Sequence, residues 1–138
     1  MDKQQIIEFI NKNPMFVLGT ADGSQPRARY MMTSIADSRG IIFCTGRKKS
    51  VCAQITANPA VELCYYEQES ETQLRIEAST EEVSDEVMKN EILEKFPFLK
   101  PWVEKEGMDE MVVYRLIDAK ALIIVSVGPE EKRDTVEL

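Results

Sequence analysis

Short runs of alternating apolar and polar residues, each closed by a turn signal within about a dozen positions, decide what this chain of 138 residues can fold into. Val61, Leu63 and Tyr65 alternate with Glu62, Cys64 and Tyr66 across Ala60–Glu67, and Leu74, Ile76 and Ala78 keep the same period across Thr72–Val83. Successive side chains of a strand point to opposite faces, so each run offers one face to a core. Met15–Ala21 and Pro26–Ile35 read as strands on either side of Asp22–Gly23, a pair that supplies the backbone angles of a tight hairpin turn. Ile41–Thr45 follows a turn at Asp37–Gly40. Met111–Ile117 and Ala121–Val127 are the last strands, joined by a turn around Asp118–Ala119. Six or seven short strands with turns at short intervals predict a mainly β fold, a single antiparallel barrel flanked by helices.

The helices announce themselves by caps and spacing. Ile6, Ile7 and Ile10 lie at helical spacing over residues 1–13, which end at Asn13–Pro14, and such a helix suits one open end of a sheet. Ser50 is placed to cap a short helix, Val51–Asn58, that Pro59 follows. Ser84 is placed to cap another, with Asp85 and Glu86 in its first turn and Val87, Met88, Ile92, Leu93 and Phe96 on its apolar stripe. Pro97 and Pro101 break it near Trp102. Gly128–Pro129 opens a charged tail, residues 128–138, expected to be solvated or to cross to a partner subunit. No linker divides the chain, so residues 1–138 are read as one domain, large enough to bury about two-thirds of its unfolded surface.

Charge narrows the function. A net charge of −7 argues against a general nucleic-acid binder, which needs a surplus of Lys and Arg to displace counterions. Yet Gln25–Gln54 holds Arg27, Arg29, Arg39, Arg47, Lys48 and Lys49 against the single acid Asp37. A compact basic segment in an acidic protein suits a site for one small anion, and it equally suits a solvated loop. Strand, basic loop and helix start follow one another here. A helix N-terminus with Lys49 and Ser50 beside it can hold a phosphate, and Arg29 could reach the same anion from the neighbouring strand. The bland reading of these residues is a serine cap among solvated cations. The three cysteines are widely spaced and histidine is absent, which fits no common zinc pattern and points to reduced thiols in a cytoplasmic protein. The start of the chain reads as an amphipathic segment and no apolar stretch is long enough to span a membrane.

Three stretches together resemble one family. Gln25–Pro26–Arg27–Ala28–Arg29–Tyr30–Met31–Met32, then Ile42 through Ser50, then Ala57–Asn58–Pro59–Ala60–Val61 are similar to the pyridoxamine 5′-phosphate oxidase superfamily of FMN-binding split barrels, and more narrowly to its short general-stress-protein members. The resemblance implies FMN at the interface of a homodimer. It implies flavin contacts from Arg29, Tyr30, Met31, Met32, Cys44 and Thr45, and phosphate contacts from Lys48, Lys49 and Ser50. It also implies that Gln73 reaches the flavin of the opposite subunit. Where the oxidases carry Arg-Lys in the phosphate loop, this chain has Ser50–Val51, so Lys48 or Lys49 must supply the charge.

The substrate-binding positions depart further. The oxidases hold the pyridoxal phosphate group with residues that correspond here to Ser34, Asn90 and Glu94, so pyridoxamine 5′-phosphate is not the expected substrate. The function this implies is an FMN-dependent oxidoreductase working with an unidentified small-molecule electron donor or acceptor. No catalytic side chain stands out. The alternative is a non-catalytic stress protein that binds or senses flavin, deazaflavin or haem, although a chain without histidine lacks the ordinary haem ligand. Cys44 could touch the flavin or act as a redox thiol, but in a chain without histidine it lacks an obvious base and reads by itself as a packing residue, and Tyr65, Tyr66 and Trp102 read as core or interface.

Overall fold

The computed structural model describes residues 1–138. Its eight strands make four successive antiparallel hairpins: β1 (Met15–Asp22) with β2 (Gln25–Met32), β3 (Ile35–Asp37) with β4 (Gly40–Gly46), β5 (Ala60–Glu67) with β6 (Thr72–Glu82), and β7 (Met111–Val127) with β8 (Glu130–Glu137). They join in the order β2-β1-β5-β6-β7-β4-β3, with β8 alongside β7. This is the expected antiparallel barrel, and it is split. The Met32–Ile35 link connects the two edge strands: the Thr33 N–H donates to the Pro14 carbonyl and the Ser34 N–H to the Ile42 carbonyl, each at 2.9 Å.

Several expectations need correction. The second strand ends at Met32 instead of running to Ile35, because Thr33 and Ser34 serve that link. No turn breaks the chain at Asp118. β7 runs through it as one strand of 17 residues, with Asp118 at φ 52° and a register shift opposite it between Glu77 and Ser79. This bulge lets one half of β7 pair with β4 and the other with β8. Residues 130–137, expected as a tail, form β8, though nearly all their side chains remain exposed.

The alternation read from the sequence accounts for the barrel core. Phe16, Leu18, Phe43, Leu63, Tyr65, Leu74 and Ile76 are all buried. The Phe16 ring meets Phe43 edge-on at 5.7 Å and Tyr65 at 5.1 Å. Each such side chain withdrawn from water contributes about 1.5–3 kcal/mol. α1 (Lys3–Lys12) covers one end with Ile6, Phe9 and Ile10, and is started by a capping box between Asp2 and Gln5.

α3 (Glu86–Lys95) is capped by Asp85, whose carboxylate accepts from the Val87 and Met88 amides, and not by Ser84. Pro97 ends that run by opening a 3-10 turn, Pro97–Leu99. Pro101 breaks nothing: it sits in the first turn of a further helix, α4 (Lys100–Glu106), where its missing N–H costs no bond. α3 and α4 enclose a second core of Ile42, Met88, Ile92, Leu93, Val103, Met111 and Val113 on the outer side of β4 and β7. No helix is long and apolar enough to cross a membrane.

Candidate functional site

A cavity of about 520 Å³ opens where edge strand β2, the end of β4, the start of α2 (Ser50–Ala57) and the 3-10 turn meet. Arg29, Tyr30, Met31 and Met32 line it from β2, Cys44 and Thr45 from β4, and Lys49 and Ser50 from the head of α2. Eight of the residues singled out in the sequence thus converge on one space. Two do not. Lys48 turns outward and pairs with Glu106 at 2.8 Å, so it does not supply the loop's free charge. Gln73 lies on β6, where its carboxamide oxygen accepts from the Cys64 thiol at 3.5 Å, and it does not line this cavity.

The electrostatics of the basic segment separate its cations into two groups. Arg27 pairs with Asp22, Arg39 with Asp37 and Glu91, and Arg47 with Glu82. Arg75, Arg115 and Arg133 elsewhere also have carboxylate partners. Arg29 is the one arginine of the chain without an acid in contact, and Lys49 likewise makes no ion pair. Both line the cavity. Arg29 is instead held by neutral oxygens: the Leu18 carbonyl at 3.2 Å, Thr20 Oγ1 at 2.7 Å and Gln54 Oε1 at 2.6 Å. Burial lowers its pKa, with the charge of Arg27 adding to the effect.

The head of α2 supplies donors as well as charge. Its cap is Lys49, in extended conformation, with no side-chain bond to the helix, and Ser50 is the first helical residue and not the cap. Its hydroxyl is therefore not spent on capping. The first N–H groups of a helix have no intrahelical acceptor, so Ser50 and Val51 present theirs at the cavity together with the positive end of the helix dipole. An anion is the ligand such a corner suits.

The remaining wall was not anticipated. Phe96, Phe98 and Leu99 line the cavity from the 3-10 turn, and Phe98 is 75% exposed. Phe96 is the last residue of the apolar stripe read for the helix, and the signal for Phe98 and Leu99 is the apolar pair between Pro97 and Pro101. Ser34 lines the cavity too, and its hydroxyl donates to Cys44 Sγ at 3.6 Å. Burial pushes the Cys44 thiol up, while the Ser34 hydrogen bond and the charge of Lys49 pull the other way. Asn90 and Glu94 do not line the cavity, and Glu94 pairs with Lys100 at 2.9 Å.

The family model described as pyridoxamine 5′-phosphate oxidase matches residues 2–127. A pyridoxine/pyridoxamine 5′-phosphate oxidase of Myxococcus xanthus is 32% identical over 76 residues, 55% of this chain and 37% of the relative. The matched part is thus well under half the length of that enzyme. Among solved structures, a nimc/nima family protein of Clostridium acetobutylicum superposes with a TM-score of 0.79 at 20% identity, covering 97% of this chain and 92% of that one. General Stress Protein 26 of Bacillus anthracis does so with 0.69 at 23%, covering 96% and 98%. The same fold recurs in a heme binding protein of Mycobacterium smegmatis, with 0.75 at 9% identity, covering 98% and 57%.

Proposed function

The chain belongs to the pyridoxamine 5′-phosphate oxidase family, and on that basis we propose that its cavity holds FMN and serves a flavin-dependent oxidoreductase acting on a small molecule. The observation that carries this reading is the pair of cations without acid partners, Arg29 and Lys49, lining one cavity with the open head of α2. In a chain of net charge −7, every other arginine is neutralised by a carboxylate. A phosphate group explains why Arg29 is left without an acid and why Lys49 lines the same space.

The residues present fit the group. Lys49, the Ser50 hydroxyl and the Ser50 and Val51 amides would hold the phosphate, with Arg29 beside them. The volume, about 520 Å³, lies within the usual range of small-molecule sites. β2 is an edge strand whose outer backbone groups have no strand partner, so Tyr30, Met31 and Met32 can offer N–H and C=O groups to a planar ring. FMN, when bound, supplies hydride and single-electron transfer. The chain's own contribution is to bind, orient and shield it. Phe96, Phe98 and Leu99 exclude water from one side, and no carboxylate lines the space.

The exposed apolar residues Met15, Tyr30 and Met32 on β1 and β2 give a homodimer a surface to cover. In such a dimer Gln73 of the partner subunit would approach the flavin. Ser34 stands where the oxidases carry a lysine for the substrate phosphate, so pyridoxamine 5′-phosphate is not the proposed substrate. The test is the absorption spectrum of the purified protein before and after FMN is added. A bound flavin band, left unbleached by excess pyridoxamine 5′-phosphate under anaerobic conditions, is expected. A haem Soret band, or no flavin retained after desalting, would overturn the reading.

A further inference from the structure

Gln54 lies on α2 one turn beyond Ser50, and it is buried to 9% exposure. Its one carboxamide oxygen accepts from Thr20 Oγ1 on β1 and from Arg29 Nη2 on β2, both at 2.6 Å. Thr20, itself buried, spends its single hydroxyl proton on Gln54 and accepts from Arg29 Nη1 at 2.7 Å. Both groups facing Gln54 are donors, so its oxygen, and not its NH₂, must point at them. Three elements are tied through this one atom. Of the five N–H donors of a guanidinium, these contacts and the Leu18 carbonyl use only those on Nη1 and one on Nη2, and Nε remains free for a ligand.

We infer that Gln54 is a positioning residue for anion recognition: it fixes the Arg29 guanidinium with a neutral acceptor, so that the charge is aimed at the cavity without being cancelled. This rests on the reading of the cavity as a phosphate-ester site. A glutamate at the same position would have the same length and would hold Arg29 more strongly, as the acids do for the six other arginines. It would also neutralise the charge. The amide therefore separates two tasks that a carboxylate would merge, holding the side chain and leaving it positive. The same carboxamide sets the distance between Arg29 and the head of α2, since Gln54 and Ser50 belong to one rigid helix.

The test compares wild type, Gln54→Glu and Gln54→Met by titration with FMN and with riboflavin, which lacks the phosphate, and by thermal unfolding with and without inorganic phosphate. Gln54→Glu is expected to keep its unliganded melting temperature, to lose about tenfold or more in FMN affinity, and to bind riboflavin as wild type does. Its stabilisation by inorganic phosphate should vanish. Gln54→Met keeps the chain length without an acceptor, and its FMN-to-riboflavin preference should also fall; it carries the test if the glutamate variant does not fold. An unchanged preference in the variants, or equal losses for both ligands, would reduce Gln54 to packing and overturn the inference while leaving the FMN reading intact. Wild type that neither prefers FMN nor is stabilised by phosphate would overturn both. If phosphate stabilises wild type but FMN does not bind, loss of that stabilisation in Gln54→Glu supports the role of Gln54 with a different phosphorylated ligand.

Discussion

The backbone amide of Lys48 donates to the carboxylate of Glu110 at 2.9 Å, joining the cation loop to a segment 62 residues further along the chain. The neighbouring Arg47 amide reaches the Glu110 carbonyl at 2.8 Å, and its guanidinium the Asp109 carbonyl at 2.9 Å. The loop that carries Lys49 is therefore braced from outside the sheet, by the turn between α4 and β7. Gly46 makes the close approach possible. A Cβ there would lie 3.2 Å from the Glu110 carboxylate and 3.3 Å from the Trp102 ring.

Gly46→Ala should thus push the brace away from the loop. We expect a loss of about 1 kcal/mol in stability, the low end for overpacking because Glu110 can shift. Weaker FMN binding should accompany it. Chemical denaturation of the unliganded protein measures the first, and an unchanged midpoint would show that the brace tolerates a methyl group.

Lys49→Ala should weaken FMN binding by at least about tenfold, since a charge-assisted hydrogen bond contributes roughly 1.5–3 kcal/mol. Lys48→Ala should leave it near wild type, because Lys48 is engaged with Glu106 outside the cavity. Quenching of flavin fluorescence reads both. Equal effects of the two substitutions would mean that the loop acts only through its total charge.

Much of this site was legible in the sequence because it is local. Arg29–Met32 occupy one strand, Cys44–Thr45 end another, and Lys49–Ser50 follow within five residues of them, so strand and helix signals sufficed to bring these groups together. Which cation is free was not legible. That depends on acids distant in sequence, Glu82 for Arg47 and Glu106 for Lys48, and only the fold decides those pairings. The Phe96–Leu99 wall was hidden for a similar reason: Pro97 and Pro101 read alike as helix breakers, whereas one opens a 3-10 turn and the other sits in the first turn of α4. Asp118 resembled a turn because a bulge needs the same left-handed backbone.

Cys44 should report on occupancy of the cavity. Burial pushes its thiol above the ordinary value, so alkylation by iodoacetamide should be slow near neutral pH and accelerate only on the alkaline side of a normal cysteine. A raised pKa in the fold also means that stability from this group is intact below the unfolded value and declines as pH rises through the folded one. Added FMN should protect Cys44, followed by mass spectrometry of the labelled peptide. Rapid labelling at neutral pH, indifferent to FMN, would contradict its placement.

The protein should be a homodimer at micromolar concentration. Tyr30 is 76% exposed and Met15 54% exposed on adjoining strands, a sizeable apolar surface beside an open sheet edge. Light scattering measures the mass directly. A monodisperse monomer that still binds FMN would remove Gln73 of the partner subunit from the site.

The most direct measurement of the central claim, that Arg29, Lys49, Ser50 and the head of α2 form a phosphate site within a flavin cavity, is a paired titration of the wild-type protein with FMN and riboflavin. Both ligands share the ring, so the ratio of their dissociation constants isolates the phosphate. With at least two charged contacts each contributing about tenfold or more, FMN should bind at least about a hundredfold more tightly. Equal affinities would show that these cations recognise something other than the flavin's phosphate.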